Sequence, residues 1–318
     1  MHKQKIIGTN IESTRIVYGC MNLGNNRNRG EITESQMRSE AVKTINAALE
    51  QGINFFDHAD IYGKGKSEEM FSEIWKVHPG LREKIILQSK CGIRFEGNPK
   101  SDSPHRFDFT YEHIINSVEG SLKRLKSGYL DILLLHRPDP LVEPEEVAKA
   151  FDDLRWSGKV KYFGVSNHTG YQIELLKKYV VQPLIVNQLE INLIHSDLIN
   201  AGVITNQRNP KDFIRGEGTL DYCRLNDITI QAWSPLALGL FDDNSNLKKV
   251  ISEIARNRNV SNEAIVTAWL LRHPAKIQPV IGTRRPERIA TICKADSIEL
   301  TRDEWYKIFI AGRGEDLP

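Results

Sequence analysis

Residues Thr110 to His136 read TYEHIINSVEGSLKRLKSGYLDILLLH, and the hydrophobic period changes within that stretch. Ile114, Ile115, Val118, Leu122 and Leu125 recur at three- and four-residue spacing behind Thr110, the stripe of an amphipathic helix. Ile132–Leu135 is instead an unbroken apolar run, the pattern of a strand buried on both faces, and it ends on His136. A helix that feeds a doubly buried strand argues for a parallel sheet built by crossover connections.

The same alternation extends outward in both directions. Strands are expected at Arg15–Gly19, Ile53–Phe56, Ile85–Gln88, Ile132–Leu135, Tyr162–Val165, Ile185–Asn187, Thr229–Ala232 and Pro279–Ile281. Met37, Ala41, Val42, Ile45, Ala48 and Leu49 form a helical stripe closed by Gly52. Pro144 can open another helix, with Glu145 and Glu146 in its first turn, buried Val147, Phe151 and Leu154, and Gly158 at its end. Eight strand–helix units fit a closed (β/α)8 TIM barrel in the α/β class. The 318 residues suit that fold with about seventy to spare over the typical ~250. A doubly wound open sheet is the competitor, but no G-x-G-x-x-G follows the first strand. No linker or charge block divides the chain, so residues 1–318 are expected to form a single domain. Thr301 and Glu304 have capping-box spacing, which places an extra C-terminal helix outside the eight units.

Composition excludes several function classes. The 43 Lys+Arg and 41 Asp+Glu give a net charge of +2, which speaks against a nucleic-acid partner. The start of the chain is too polar for a signal peptide, and no apolar run approaches ~18 residues, so no membrane partner is expected. Cys20, Cys91, Cys223 and Cys293 are scattered, with no C-x-x-C pair, and read as reduced thiols of a cytoplasmic protein.

Three connections exceed what a barrel needs: Asn22–Thr33, Gly92–Phe109 and Ile191–Thr219. All leave the C-terminal ends of strands, where barrels build their active sites, so they are expected to act as lids. The strands exit on Gly19-Cys20-Met21, Asp57, Lys90, His136, Ser166-Asn167, Gln188, Trp233-Ser234 and Gly282-Thr283. Ser and Asn commonly begin turns there. An Asp, a Lys and a His driven to the rim of an apolar core are costly unless paired. With Tyr62 they have a chemical logic. An unperturbed phenol, pKa ~10, is a weak acid toward a carbonyl oxygen at neutral pH. A lysine beside it favours the phenolate, a carboxylate holds the lysine charged, and a histidine can orient the carbonyl.

These strings resemble the aldo-keto reductases. The resemblance rests on Gly52-Ile53-Asn54-Phe55-Phe56-Asp57-His58-Ala59-Asp60-Ile61-Tyr62-Gly63, Gln88-Ser89-Lys90-Cys91-Gly92, Leu133-Leu134-Leu135-His136-Arg137-Pro138-Asp139 and Gly164-Val165-Ser166-Asn167. It continues through Asn187-Gln188, Trp233-Ser234-Pro235-Leu236 and Gly282-Thr283-Arg284-Arg285-Pro286-Glu287-Arg288, in order, over residues 15 to about 295. The resemblance implies NADPH-dependent reduction of a small-molecule aldehyde or ketone, with Tyr62 as general acid beside Asp57, Lys90 and His136. It also implies cofactor contacts from Ser166, Asn167 and Gln188 to the carboxamide and from Trp233 to the nicotinamide face. Cys20, Met21, Asp57, Ser234 and Leu236 would border the cofactor, and Gly282, Thr283, Arg284 and Arg288 would meet its phosphates. Many members carry a lysine where this chain has Gly282. NADPH is still preferred over NADH, because Arg284 and Arg288 can bind phosphate near a helix starting at Pro286.

Two rivals differ in class. A metal-dependent barrel hydrolase would use His58, Asp60, His136 and Asp139, but Lys90 would set a cation beside the metal. A cofactor-binding, redox-sensing module would keep the same residues with little turnover. The lack of a long N-terminal extension favours the enzyme.

Overall fold

A computed structural model describes residues 1–24, 32–204, 218–237 and 245–318. The segments 25–31 and 205–217 of the expected lids lie outside the described residues. The chain opens with a hairpin, β1 (Lys3–Lys5) against β2 (Glu12–Thr14), whose intervening Ile6 and Ile11 are buried. The units then follow in order: β3 (Val17–Gly19), α1 (Glu34–Glu50), β4 (Phe55–Asp57), α2 (Lys66–Phe71), α3 (Ile74–Val77) and β5 (Ile86–Cys91). An antiparallel ladder, β6 (Ile93–Arg94) with β7 (Arg106–Phe107), precedes α4 (Tyr111–Leu125), β8 (Leu130–Leu135), α5 (Pro144–Trp156), β9 (Val160–Ser166), α6 (Gly170–Lys177) and β10 (Leu184–Glu190). After α7 (Asp197–Val203) and α8 (Thr219–Leu225) come β11 (Thr229–Trp233), α9 (Asn246–Asn257), α10 (Asn262–Leu271), β12 (Gln278–Ile281), α11 (Pro286–Cys293) and α12 (Arg302–Arg313).

Strands β3, β4, β5, β8, β9, β10, β11 and β12 pair in parallel and close on themselves through β12 and β3. This is the (β/α)8 barrel that the sequence leads one to expect. Every expected strand is present, and several run longer toward their C-terminal ends. Lys90 still pairs with Leu134, and Gln188 with Ser166. These residues interrupt the apolar pattern without leaving the ladder.

Two cores follow from the two-residue period of a strand. Val17, Phe55, Ile86, Ile132, Leu134, Val186 and Val280 point into the barrel, where Ile6 and Ile11 of the hairpin plug the bottom. Residues of opposite parity, such as Phe56, Leu87, Leu133 and Leu135, face the helices. The same period carries Asp57, Gln88 and Lys90 onto the inner face, above Phe55 and Ile86. The second long connection is ordered by β6 and β7 and by Arg94 Nε to Asp108, 2.6 Å. Gly92 opens it with φ +105, and a Cβ there would lie 2.3 Å from the Phe109 ring, so only glycine fits. Thr301 and Glu304 form the expected capping box, and α12 docks by stacking Trp305 on Trp269 at 5.2 Å.

Candidate active site

The C-terminal ends of β4 and β5 set Asp57 and Lys90 side by side on the inner wall. Lys90 Nζ lies 2.8 and 2.7 Å from the two Asp57 oxygens, 2.8 Å from the His58 carbonyl and 3.1 Å from Tyr62 Oη. Lys90 is 1% and Asp57 2% exposed, so the charges persist in the core because each satisfies the other. Tyr62 reaches them from the turn after β4, which Tyr62 N closes on the Ala59 carbonyl. His136, leaving β8, presents its ring edge-to-face to Tyr62, with centroids 6.0 Å apart. Asn167 holds that exit by donating from Nδ2 to the His136 carbonyl at 3.1 Å, while its Oδ1 accepts from Trp233 Nε1 at 3.0 Å. Asn167 and Ser234 both adopt left-handed backbone, φ 62 and 51, beside the same cleft.

The electrostatics refine the sequence logic. Desolvation pushes the Tyr62 phenol above its ordinary pKa, and the Lys90 cation pulls it back only in part because Asp57 opposes it. Lys90 thus lowers the phenol pKa as expected, but the net direction is upward because burial, with Asp57, outweighs it. Burial works against the Lys90 ammonium, yet Asp57 and Tyr62 hold its pKa above the usual lysine value. Burial, with the Lys90 and Arg137 cations, drives His136 well below the ordinary histidine pKa. Its imidazole is neutral at pH 7, which suits orienting a carbonyl oxygen.

Beneath the pair runs a ladder of amides that sequence reasoning missed. Gln88 and Gln188 donate to Asp57 Oδ1 at 2.6 and 3.1 Å, and both donate to Gln231 Oε1 at 2.8 and 3.0 Å. Gln231 passes to Gln278 at 3.3 Å, and Gln278 ends on Ser13 Oγ and the Thr14 carbonyl. Asp57 is thereby fixed from below by amides reaching the bottom of the barrel.

Tyr62 and His136 open into a cleft of about 510 Å³. The candidate residues Met21, Asp57, Tyr62, His136, Ser166, Asn167, Gln188, Trp233, Ser234, Leu236, Gly282, Thr283 and Arg288 all line it. Lys90 stands behind the wall. Cys20 is a correction: it is fully buried in the core between barrel and helices, continuing the parity of Ile16 and Tyr18, while Met21 in the following 3-10 turn lines the cleft. Arg284 does not line the cleft either; its guanidinium reaches the Asn22 carbonyl at 3.5 Å. Asn22 and Arg137, not singled out from sequence, do line it. The rival metal set is not brought together: Asp139 accepts from the Phe109 and Leu141 amides, and His58 packs edge-on against Phe71. Among the described residues no group of three or more His, Cys, Asp or Glu side chains could hold a metal ion.

The model of the aldo/keto reductase family matches residues 15–311. This chain is an aldo-keto reductase. Oxidoreductase YdhF of Escherichia coli is 37% identical to it over 88% of this chain and 89% of its own. A 6-dehydroglucose reductase of Agrobacterium fabrum is 36% identical over 96% of this chain and 97% of its own. A thermostable aldo-keto reductase crystallised with the inhibitor epalrestat shares the fold at TM-score 0.77 and 24% identity, over 98% of this chain and all of that one. The protein is accordingly a nicotinamide-dependent oxidoreductase acting on small-molecule carbonyl compounds. No helix of the described residues is long and apolar enough to cross a membrane.

The cleft of this aldo-keto reductase fits a nicotinamide cofactor. Trp233 offers a flat ring on its wall, and Gln188 lines it with both amide donors already engaged, leaving its carbonyl oxygen to accept from a carboxamide. At the other end α11 begins at Pro286 with no side-chain cap from Arg285 before it, and Thr283 and Arg288 line the cleft beside it. A Cβ on Gly282 would meet nothing closer than 3.6 Å, so the glycine is not imposed by packing.

Buried histidines give the reductase an acid limit. Burial lowers the pKa of His58 to about 3 and of His113, His168 and His273 to about 4, and His136 is lowered too. Their folded values lie below the unfolded ~6.5, so the unfolded chain binds protons first as pH falls. Their contribution is complete above ~6.5 and declines toward the folded values, each by up to about 1.4 kcal/mol per pH unit. The Tm should fall by on the order of 10 °C between pH 7.5 and 5, and His58→Phe should flatten the slope. A Tm constant over that range would contradict this.

Proposed function

We propose that this protein uses NADPH to reduce aldehyde or ketone carbonyls to alcohols, with Tyr62 as the general acid. The observation that carries the reading is the Tyr62 hydroxyl, 3.1 Å from a buried lysine and open to the cleft beside His136. The bound nicotinamide supplies a hydride to the carbonyl carbon. Tyr62 Oη–H donates its proton to the carbonyl oxygen as negative charge develops there. The phenolate left behind faces the Lys90 ammonium, which Asp57 keeps charged and in place. The neutral His136 ring donates a hydrogen bond that orients the same oxygen, and Asn167 ties the His136 main-chain carbonyl to the Trp233 indole N–H.

Trp233, Gln188, Ser166 and Asn167 would hold the nicotinamide, and Thr283, Arg288 and the start of α11 the phosphate end, with Arg284 close behind. Arg288 pairs with Glu263 at 3.3 Å and can turn its planar donors to a 2′-phosphate. A relative named for 6-dehydroglucose reduction supports carbonyl reduction as the working direction. All four cysteines are buried and unpaired, which supports a reducing compartment such as the cytoplasm.

The test is a Kd for NADPH and for NADH by protein fluorescence, with turnover of 4-nitrobenzaldehyde. NADPH should bind at least tenfold tighter, and Arg288→Ala should narrow that gap about tenfold. Tighter binding of NADH would refute the cofactor preference. The absence of carbonyl-dependent NADPH oxidation across an aldehyde panel would refute the reaction.

A further inference from the structure

One charge in the cleft is unaccounted for by this chemistry. Arg137 directly follows His136 at the exit of β8, is exposed, and lines the same cleft. Its guanidinium carbon lies 5.8 Å from the centre of the Trp233 ring. No carboxylate or hydrogen-bond acceptor of the described residues engages it. The other charged residues of the described lining are spoken for: Asp57 by Lys90, and Arg288 by Glu263. The nearest acid in sequence, Asp139, is occupied by the Phe109 and Leu141 amides.

We infer that Arg137 anchors the substrate, and that the substrate is a carbonyl compound carrying an anionic group, a carboxylate, phosphate or sulfonate. A guanidinium presents paired N–H donors that match such a group in two parallel hydrogen bonds. Resting over the Trp233 ring, it is partly ordered before a ligand arrives. A neutral hydroxylated ligand could accept the same hydrogen bonds but would leave the charge uncompensated, inside a cleft where screening is weaker than in bulk water. Because Arg137 adjoins His136, an anion held there places the rest of the molecule toward the oxygen-binding face of Tyr62 and His136. This rests on the carbonyl-reductase reading and names the class of carbonyl.

The test compares 4-carboxybenzaldehyde with its methyl ester, methyl 4-formylbenzoate, using NADPH. The wild type should favour the acid. Arg137→Met should lower the acid-to-ester ratio of kcat/KM tenfold to a hundredfold, mainly through KM, and Arg137→Lys should recover part of it. A wild type that prefers the ester, or a ratio unmoved by Arg137→Met because both substrates lose equally, overturns the inference. Benzoate titrated against tryptophan fluorescence reads the same anchor without turnover, and its Kd should rise tenfold or more in Arg137→Met. Benzoate binding that depends on Arg137, with neither aldehyde reduced, upholds the anion site while refuting carbonyl reduction. Benzoate binding equally well to both proteins overturns the anion site, whatever the turnover.

Discussion

Tyr62→Phe should lower kcat/KM for carbonyl reduction by roughly 10³-fold, within the range a positioned general acid contributes. The variant removes one oxygen and leaves the ring, so the edge-to-face contact with His136 survives. Lys90 loses one of its acceptors but keeps both Asp57 oxygens and the His58 carbonyl, so the buried ion pair stays satisfied. Stability should change by less than about 1 kcal/mol, and the Kd for NADPH by less than threefold. The loss therefore belongs to proton donation. Because desolvation raises the Tyr62 pKa, the acid form is present throughout the neutral range. Wild-type reduction should be flat across neutral pH and fall on the alkaline side as the phenol ionises. A Tyr62→Phe enzyme within tenfold of wild type would remove Tyr62 from the role.

The barrel was legible because its two periods are written in hydrophobicity. Ile114 to Leu125 repeats as a helix and Ile132 to Leu135 as a buried strand, and both are found so. Asp57, Lys90 and His136 stood out because an ionisable group at the end of an apolar run implies a cost that something must offset. The amide ladder was not legible. Gln88, Gln231 and Gln278 sit inside apolar runs, and their partners come from different strands, so no local pattern joins them. Cys20 was misplaced because a strand exit need not face the cleft: Cys20 keeps the parity of Ile16 and Tyr18, which face the helices. The hairpin β1–β2 escaped notice since Lys3–Lys5 and Glu12–Thr14 are polar, and the residues that dock it, Ile6 and Ile11, lie between them. The net direction of the Tyr62 pKa depended on burial, which spacing does not report. Arg137 was visible as a residue next to His136, but only the structure shows that among the described residues no carboxylate or hydrogen-bond acceptor pairs with it.

Lys90→Met should be the most disruptive single change, and it separates two uses of the same ion pair. Methionine fills much of the space but leaves Asp57 as a buried carboxylate with only the Gln88 and Gln188 amides for compensation. Stranding a buried charge costs about 3–5 kcal/mol, which should lower the Tm by on the order of 10 °C. Turnover should fall at least as far as in Tyr62→Phe, since the phenolate loses its cation. Adding Asp57→Asn removes the stranded charge and keeps an acceptor for the glutamines, so the double variant should regain most of the lost stability and none of the turnover. The pair also sets an alkaline limit. The folded Lys90 pKa is raised, so its contribution is complete below the unfolded ~10.4 and is lost as pH climbs through the folded value. The double variant should lack that component of alkaline unfolding. A single variant as stable as wild type would show that Asp57 does not depend on Lys90. A double variant that regains turnover would show that catalysis needs no cation at Tyr62.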